Sequence, residues 1–323
     1  MIGNRSEVRS SEVHSSEAHS TEVRSSEVHS SVVRSGNELA GCELDRVLAG
    51  DPPSGPTHRS LTADPRVGQV IDEIVTRHGR RLTLAVVGRE GAGRDTMARA
   101  LRERLAVTAL GPGEGPEVLA DVDLWVYVLV GAVRTADRKA LSQLPSDRAI
   151  VVLGKTDCLA DLDAARKAAA AASAEVGHQV TPVSALFACA DVTTDEWDFL
   201  RELANGGAQM PSMAGHFLVG EAGSRECTMR TSLLRRIDHF GIDLALGLLA
   251  NDPDSVPDAG ALNALLHSIS GMRALTPAIT DRVGRVRYWR EVQARAALER
   301  CASLGVGREV MERLLRVDEV RIR

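Results

Sequence analysis

The feature that most constrains this chain is an alternation of short apolar runs with helical patterns. Leu82 to Gly88, Leu124 to Val130, Ala149 to Leu153 and Gln179 to Val183 each read as strands. Such runs suit strands covered on both faces. Helical spacing fills the intervals: Asp95 to about Leu105, Arg138 to Leu144 and the alanine-rich Leu162 to Val176, with Asp195 to Leu203 after the last strand. Val67, Val70, Ile71 and Ile74 recur at the spacing of a short helix ahead of the first strand. The expected fold class is therefore α/β, a mostly parallel sheet flanked by helices.

After about Gly206 no further strand-like run occurs, and the apolar residues adopt helical periods. Leu233, Leu234, Ile237, Leu244 and Leu248 trace one stripe, and Leu262, Leu265, Leu266, Ile269 and Met272 a second. Val283, Val286 and Val292 mark a third helix, and Val310, Met311, Leu314 and Leu315 a fourth. This all-α region is expected to form a bundle or hairpin, with Asn251-Asp-Pro-Asp-Ser-Val-Pro257 as the turn between its first two members. At the other end, six pentapeptides of the type Ser-Glu-Val-Arg-Ser run in tandem over residues 6–35. A five-residue period matches neither a helix nor a strand, so its valines cannot share a buried face. The expected division is a disordered repeat tail and linker over 1–64, an α/β domain over 65–205 and a helical domain over 206–323.

Several function classes are excluded by what the sequence lacks. Its five cysteines contain no C-x-x-C pair, so neither a disulfide framework nor a tetrahedral zinc site is indicated. No H-E-x-x-H or G-x-S-x-G motif occurs, and the nine histidines are dispersed; His239 and His267 read as core or surface residues. The longest apolar runs fall well short of the ~20 residues a helix needs to cross a bilayer. With no charged-then-apolar leader pattern, a cytoplasmic location is expected. The net charge of -5 does not indicate a nucleic-acid partner, although the segment from Arg273 to the end holds twelve arginines against seven acids. Its Arg282, Arg285, Arg290 and Arg316, near Tyr288 and Trp289, read either as a solvated helix face or as a surface for anionic lipid, peripheral at the inner membrane.

The segment richest in chemistry is Gly88-Arg-Glu-Gly-Ala-Gly-Arg-Asp-Thr96, lying between a strand and a helix. Glycines at 88, 91 and 93 let successive backbone N–H groups curl round an anion at a helix N-terminus, where the partial positive charge favours phosphate. The spacing nearly reads G-x-x-x-x-G-K-[ST], with Arg94 in the lysine place and Asp95 in the hydroxyl place. Arg94 keeps the charge in a bulkier fork, whereas Asp95 adds negative charge. Asp95 or Thr96, one place late, is left as the residue to meet Mg²⁺. Only three lysines stand in the chain beside thirty-six arginines, so the lysine of Gly154-Lys-Thr-Asp157 carries weight. The alternative reading of that segment is a strand-to-helix turn in which Asp157 or Asp161 caps a helix.

Taken in order, these motifs resemble the translation-factor class of P-loop GTPases, which includes small GTPases and bacterial dynamin-like proteins. The resemblance covers about residues 80 to 205. Ala149-Ile-Val-Val-Leu-Gly-Lys-Thr-Asp157 is similar to the family's strand and [NT]-K-x-D loop. That likeness implies an Asp157 carboxylate accepting from guanine N1–H and its exocyclic amine, and a Lys155 stem along the base. Gly154 departs from the pattern by lacking the side chain that ties this loop to the phosphate loop. Val180-Thr-Pro-Val-Ser-Ala-Leu186 resembles the family's last strand and S-A loop, which implies Ser184 and the N–H of Ala185 beside the guanine oxygen. Ala120 to Val130, followed by Arg134 to Leu141, resembles the family's central strand and next helix.

Between the first helix and Asp121 lie about fifteen residues, whereas the family places there two further strands, a switch threonine and a D-x-x-G loop. None of these is expected to fit. Those parts hold Mg²⁺ and position the attacking water. The resemblance therefore implies a protein that binds GTP or GDP, or once did, with hydrolysis weak or absent and a regulatory or partner-binding role. It also implies a paired GTPase, or self-association through the C-terminal helices. Two other functions compete: a P-loop small-molecule kinase, from Gly91 to Leu101, and a scaffold that binds no nucleotide.

Overall fold

A computed structural model describes residues 64–115, 121–159, 161–218, 221 and 223–321; the repeat tail and the linker expected before Asp64 lie outside them. Five strands, β1 (Thr83–Gly88), β2 (Thr108–Leu110), β3 (Leu124–Leu129), β4 (Ala149–Leu153) and β5 (Val180–Pro182), form one sheet in the order β2-β1-β3-β4-β5. Every pairing is parallel. Helix α1 (Pro65–Gly79) precedes β1, and α2 (Arg94–Leu105) connects β1 to β2. Helices α3 (Thr135–Leu141) and α4 (Leu162–Val176) connect β3 to β4 and β4 to β5.

Strand β2 corrects the expectation that no further strand fits before Asp121. The chain leaves α2 through Ala106 in the left-handed region, φ 52°, and pairs Thr108, Ala109 and Leu110 with Thr83, Leu84 and Ala85. Val107 and Ala109 are buried in the same core as Leu84. Three extended residues are too few to display a period of two, so pattern alone does not reveal them.

Side chains alternate across the sheet with that period. One face carries Leu84, Val86, Leu124, Val126, Val128, Ile150 and Val152, and the other Tyr127, Leu129, Val151 and Leu153. Helices α3 and α4 cover the second face through Leu141, Ala169 and Ala172. The small alanines let the helix backbone lie close to the sheet. Helix α4 starts at Asp161, whose carboxylate accepts from the Ala164 N–H at 2.6 Å, and stops at Gly177 in the left-handed region.

The first face is covered by α2 and by a helix from far downstream. Beyond β5 come α5 (Ala185–Ala188), α6 (Thr194–Asn205), α7 (Ala214–Phe217), α8 (Arg225–Asn251), α9 (Ala259–Ile269), α10 (Leu275–Ser303) and α11 (Arg308–Arg321). Leu275, Ile279 and Val286 of α10, with Met272 just before it, share the core of β1, β3 and β4. Burying each such side chain contributes about 2 kcal/mol. Farther along α10, Leu298 joins Val67 and Ile71 of α1 and Met311 of α11 in a separate core. Helices α6, α8 and α9 close a third around Trp197, Leu200, Leu233, Ile237, Leu262 and Leu266. The helices after Gly206 thus serve several cores rather than one: α8 packs with α9, and the end of α10 with α11. Val292, expected on the inner stripe of α10, is 47% exposed.

The expected basic surface is also reshaped. Arg290 reaches the buried carboxylate of Asp123 with Nε at 2.9 Å and Nη2 at 2.5 Å, and its Nη1 donates to the Arg80 carbonyl. Asp123 also accepts from the Thr83 N–H at 2.8 Å. Arg282 donates to the carbonyls of Ala278 and Ala149. Arg148 lies between the rings of Trp125 and Trp289, 4.5 and 4.2 Å from their centroids. Arg282 and Arg290 therefore fasten α10 to the amino edge of the sheet. Among the described residues no helix is long and apolar enough to cross a membrane.

Arg290→Ala should destabilise the fold by about 3 kcal/mol in urea unfolding, because it strands the Asp123 carboxylate without its main counter-charge. A second expectation concerns acid. The Nε2 atom of half-buried His267 lies 2.8 Å from the Ala190 carbonyl oxygen and 3.1 Å from Arg104 Nη2. Burial, followed by the charge of Arg104, pushes its pKa below the ordinary 6.5, against the pull of the Ala190 carbonyl. The native state then binds fewer protons than the unfolded chain below pH 6.5, so this contribution is complete above that pH and is lost as pH falls through the native pKa. Stability followed by urea titration should decline with acid over that range, and His267→Gln should flatten the slope.

Candidate functional site

In a parallel sheet of this order, the chain runs from β1 outward to β2 and then returns to the opposite side of β1 to enter β3. The carboxyl ends of β1 and β3 therefore flank a crevice, the place where open α/β sheets hold ligands. The turn 88–93 occupies it. Gly88 has φ 148°, and a Cβ there would come within 2.6 Å of the Val128 carbonyl oxygen, so β3 admits only glycine beside it. Gly93, at φ 82°, caps α2 with no side-chain bond to its first turn. The N-terminal N–H groups of α2 thus lack an intrahelical acceptor and a side-chain cap, and carry the helix's partial positive charge. Gly91 has φ 74° and open space around it.

The turn is braced by two residues that pattern reading did not single out. Arg89 donates from Nε to Asp137 Oδ1 at 2.9 Å and from Nη2 to the Val130 carbonyl at 2.7 Å. Asp137 is fully buried; it also accepts from the Tyr127 hydroxyl at 2.9 Å and from the Arg134 N–H at 2.8 Å. Burial, followed by the neighbouring Asp137 carboxylate, pushes the Tyr127 hydroxyl up to about 12. It therefore remains a donor at neutral pH. Tyr127, part of the core on the second face of the sheet, does this second job as well. A basic residue inside the glycine turn and an acid at the start of α3 were the available signal.

The candidate residues fall in two groups that meet. Arg94 is half-buried and Asp95 exposed at the start of α2, followed by the half-buried Thr96. Asp95 Oδ1 lies 3.4 Å from where a Cβ on Gly111 would stand, at the exit of β2. Lys155 is exposed, in the left-handed region at φ 56°, and its Cε lies 3.9 Å from the corresponding Cβ position of Gly93. The lysine-bearing loop at the end of β4 is therefore in van der Waals reach of the glycine turn after β1. Among the described residues the side chains of Arg94 and Lys155 make no hydrogen bond or ion pair, which leaves two positive charges beside the crevice.

Asp157 sits in a short 3-10 turn, Thr156–Cys158, and is 6% exposed. Its Oδ1 accepts from the Ser184 hydroxyl at 2.6 Å. Ser184 in turn caps α5 by accepting from the Phe187 N–H at 3.1 Å. Ala185 opens α5, so its N–H has no intrahelical acceptor. The helix-capping alternative belongs to Asp161, which caps α4, and not to Asp157. The other Asp157 oxygen, Oδ2, faces the Cys158 thiol at 3.7 Å, and that thiol faces Asp238 Oδ2 of α8 at 3.8 Å. Asp238 is a further residue that sequence reading missed, because no pattern links a carboxylate in α8 to a loop eighty positions earlier.

Chemically, this crevice offers backbone N–H groups, a helix N-terminus and two unpaired cations to an anion. Beside them lies a corner with a buried carboxylate acceptor. Asp95 and the Thr96 hydroxyl are hard oxygen ligands of the kind Mg²⁺ takes. Compared with protein-family models and with curated proteins, the chain matches neither.

Gly154, ahead of Lys155, has no room for a side chain. A Cβ there would stand 2.8 Å from Val128 Cγ1 and 3.6 Å from the Ala92 carbonyl oxygen. Gly154→Asn should therefore cost about 1–3 kcal/mol of stability by overpacking against β3. Adding Val128→Ala should recover part of that loss in thermal melts, because it removes the methyl group in the way.

Proposed function

We propose that the glycine turn and the Lys155–Asp157–Ser184 corner form one guanine-nucleotide site on a P-loop-type scaffold whose hydrolytic parts are reduced. The observation that carries this reading is the approach of Lys155 Cε to Gly93. Two motifs sixty residues apart in sequence share one crevice at the switch point of the sheet. Gly88, Gly91 and Gly93, with the first turn of α2, would take the phosphates, helped by Arg94. The Lys155 stem would lie along the base, Asp157 would accept from its donor edge and the Ala185 N–H would meet its oxygen. The Ser184 hydroxyl holds the Asp157 carboxylate in place for that task.

Catalysis is poorly served by the same residues. Asp95 brings a carboxylate toward the phosphate end, and β2 is followed by Gly111-Pro112-Gly113-Glu114-Gly115, which supplies no aspartate to a metal ion. Charge building up in phosphoryl transfer would find little to neutralise it beyond Arg94 and the backbone. The role that follows is binding and signalling to a partner, with slow or absent hydrolysis.

Calorimetric titration with guanosine di- and triphosphate, with and without Mg²⁺, should detect binding. Asp157→Ala should weaken it by about tenfold or more, since hydrogen bonds to a charged acceptor are lost. Tighter binding of adenine nucleotides, or guanine binding indifferent to Asp157→Ala, would reject the reading. No nucleotide binding at all would leave the α/β unit as a scaffold.

A further inference from the structure

Helix α8 runs for 27 residues and is broken at one of them, Asp238, with φ 53° and ψ -173°. This is backbone that glycine adopts readily and other residues adopt only when their surroundings impose it. The packing on either side supplies that imposition. A Cβ on Gly241 would stand 2.8 Å from the Ile237 Cβ and 3.1 Å from Phe187 Cε1, and the Phe187 ring stacks on Phe240 with centroids 5.9 Å apart. Phe187 belongs to α5, whose cap is Ser184, the partner of Asp157. The kink is therefore clamped to the base corner, and it turns the Asp238 carboxylate toward Asp157.

The ligand atoms of Asp157, Cys158 and Asp238 all lie within 4.8 Å of one another. Among the described residues neither carboxylate has a cationic partner. Asp157 is nine-tenths buried, and its Oδ2 receives no N–H or O–H donor, only the weak thiol. Two acceptors held within that limit can be bridged by one kind of group. A planar amine directs two N–H bonds about 120° apart, and with each bond near 2.9 Å its acceptors stand about 5 Å from one another.

Resting on the guanine reading above, we propose that Asp238 is a specificity-determining residue of the site, and that it shares the exocyclic 2-amino group of the purine with Asp157. The preferred ligand class is then 2-aminopurine nucleotides. Hypoxanthine has no group to offer at that position. Xanthine carries a carbonyl there, which two carboxylates repel.

The test is a competitive titration of the full chain with guanosine, inosine and xanthosine diphosphates, using wild type, Asp157→Ala, Asp238→Asn and Asp238→Gly. Glycine relaxes the strained backbone, so the last variant keeps the test valid if asparagine disturbs folding, with thermal melts as the check. Wild type should prefer guanosine over inosine diphosphate by about tenfold or more and bind xanthosine diphosphate least. Both Asp238 variants should reduce the guanosine-to-inosine ratio severalfold while leaving inosine affinity nearly unchanged, and Asp238→Asn should improve xanthosine binding. If guanosine diphosphate binds, is lost with Asp157→Ala, and keeps its ratio to inosine in both Asp238 variants, the assignment of Asp238 is overturned while the guanine reading stands. Tighter binding of all three nucleotides by the Asp238 variants would overturn it too, marking α8 as an obstruction instead. A wild type that binds none of them removes both inferences together.

Discussion

A parallel sheet must be covered on both faces, and that requirement organises this molecule. Helices α3 and α4 cover one face from within the alternating segment. On the other, α2 covers part of the surface, and the remainder is closed by Leu275, Ile279 and Val286 of α10, more than a hundred residues beyond β4. The buried Asp123 carboxylate and Arg290 set where α10 crosses the amino edge. The helical region is in this sense a structural part of the sheet's core. The carboxyl edge, free of that covering role, is where the glycine turn and the loops after β4 and β5 come together.

Much of this was legible from sequence because burial on two faces writes a continuous apolar run. Strand β4 and helix α4 have the limits expected, Ala149–Leu153 and Leu162–Val176. Helix α3 begins three residues earlier than expected, at Thr135, because Asp137 bonds back to the Arg134 N–H. Strand β2 escaped notice because three residues carry no period. Arginines 282 and 290 were indistinguishable from a solvated face, since sequence gives their charge but not the buried carboxylate or the carbonyls that receive them.

The site followed the same division. Local motifs such as 88–96 and 154–157 announce themselves, because the glycines and the scarce lysine are contiguous. Residues acting across the fold do not. Asp137 braces the glycine turn from forty-eight positions beyond Arg89, and Asp238 meets Cys158 across eighty. Only the path of the chain brings these carboxylates to the crevice. Asp137 is fully buried and Asp238 half-buried, and both act there as hydrogen-bond acceptors.

The loop after β5 is joined to the helices by main-chain atoms. The Ser184 N–H donates to the Ser270 carbonyl at 2.8 Å, and Gly271, at φ 81°, lies so close to the Pro182 carbonyl that no side chain fits between them. Because main-chain atoms make this joint, mutation at Ser270 can alter its chemistry without unfastening it. Lineages descended from this sequence can therefore diversify most of their outer helix surface and still inherit the same seam, provided that the single glycine survives.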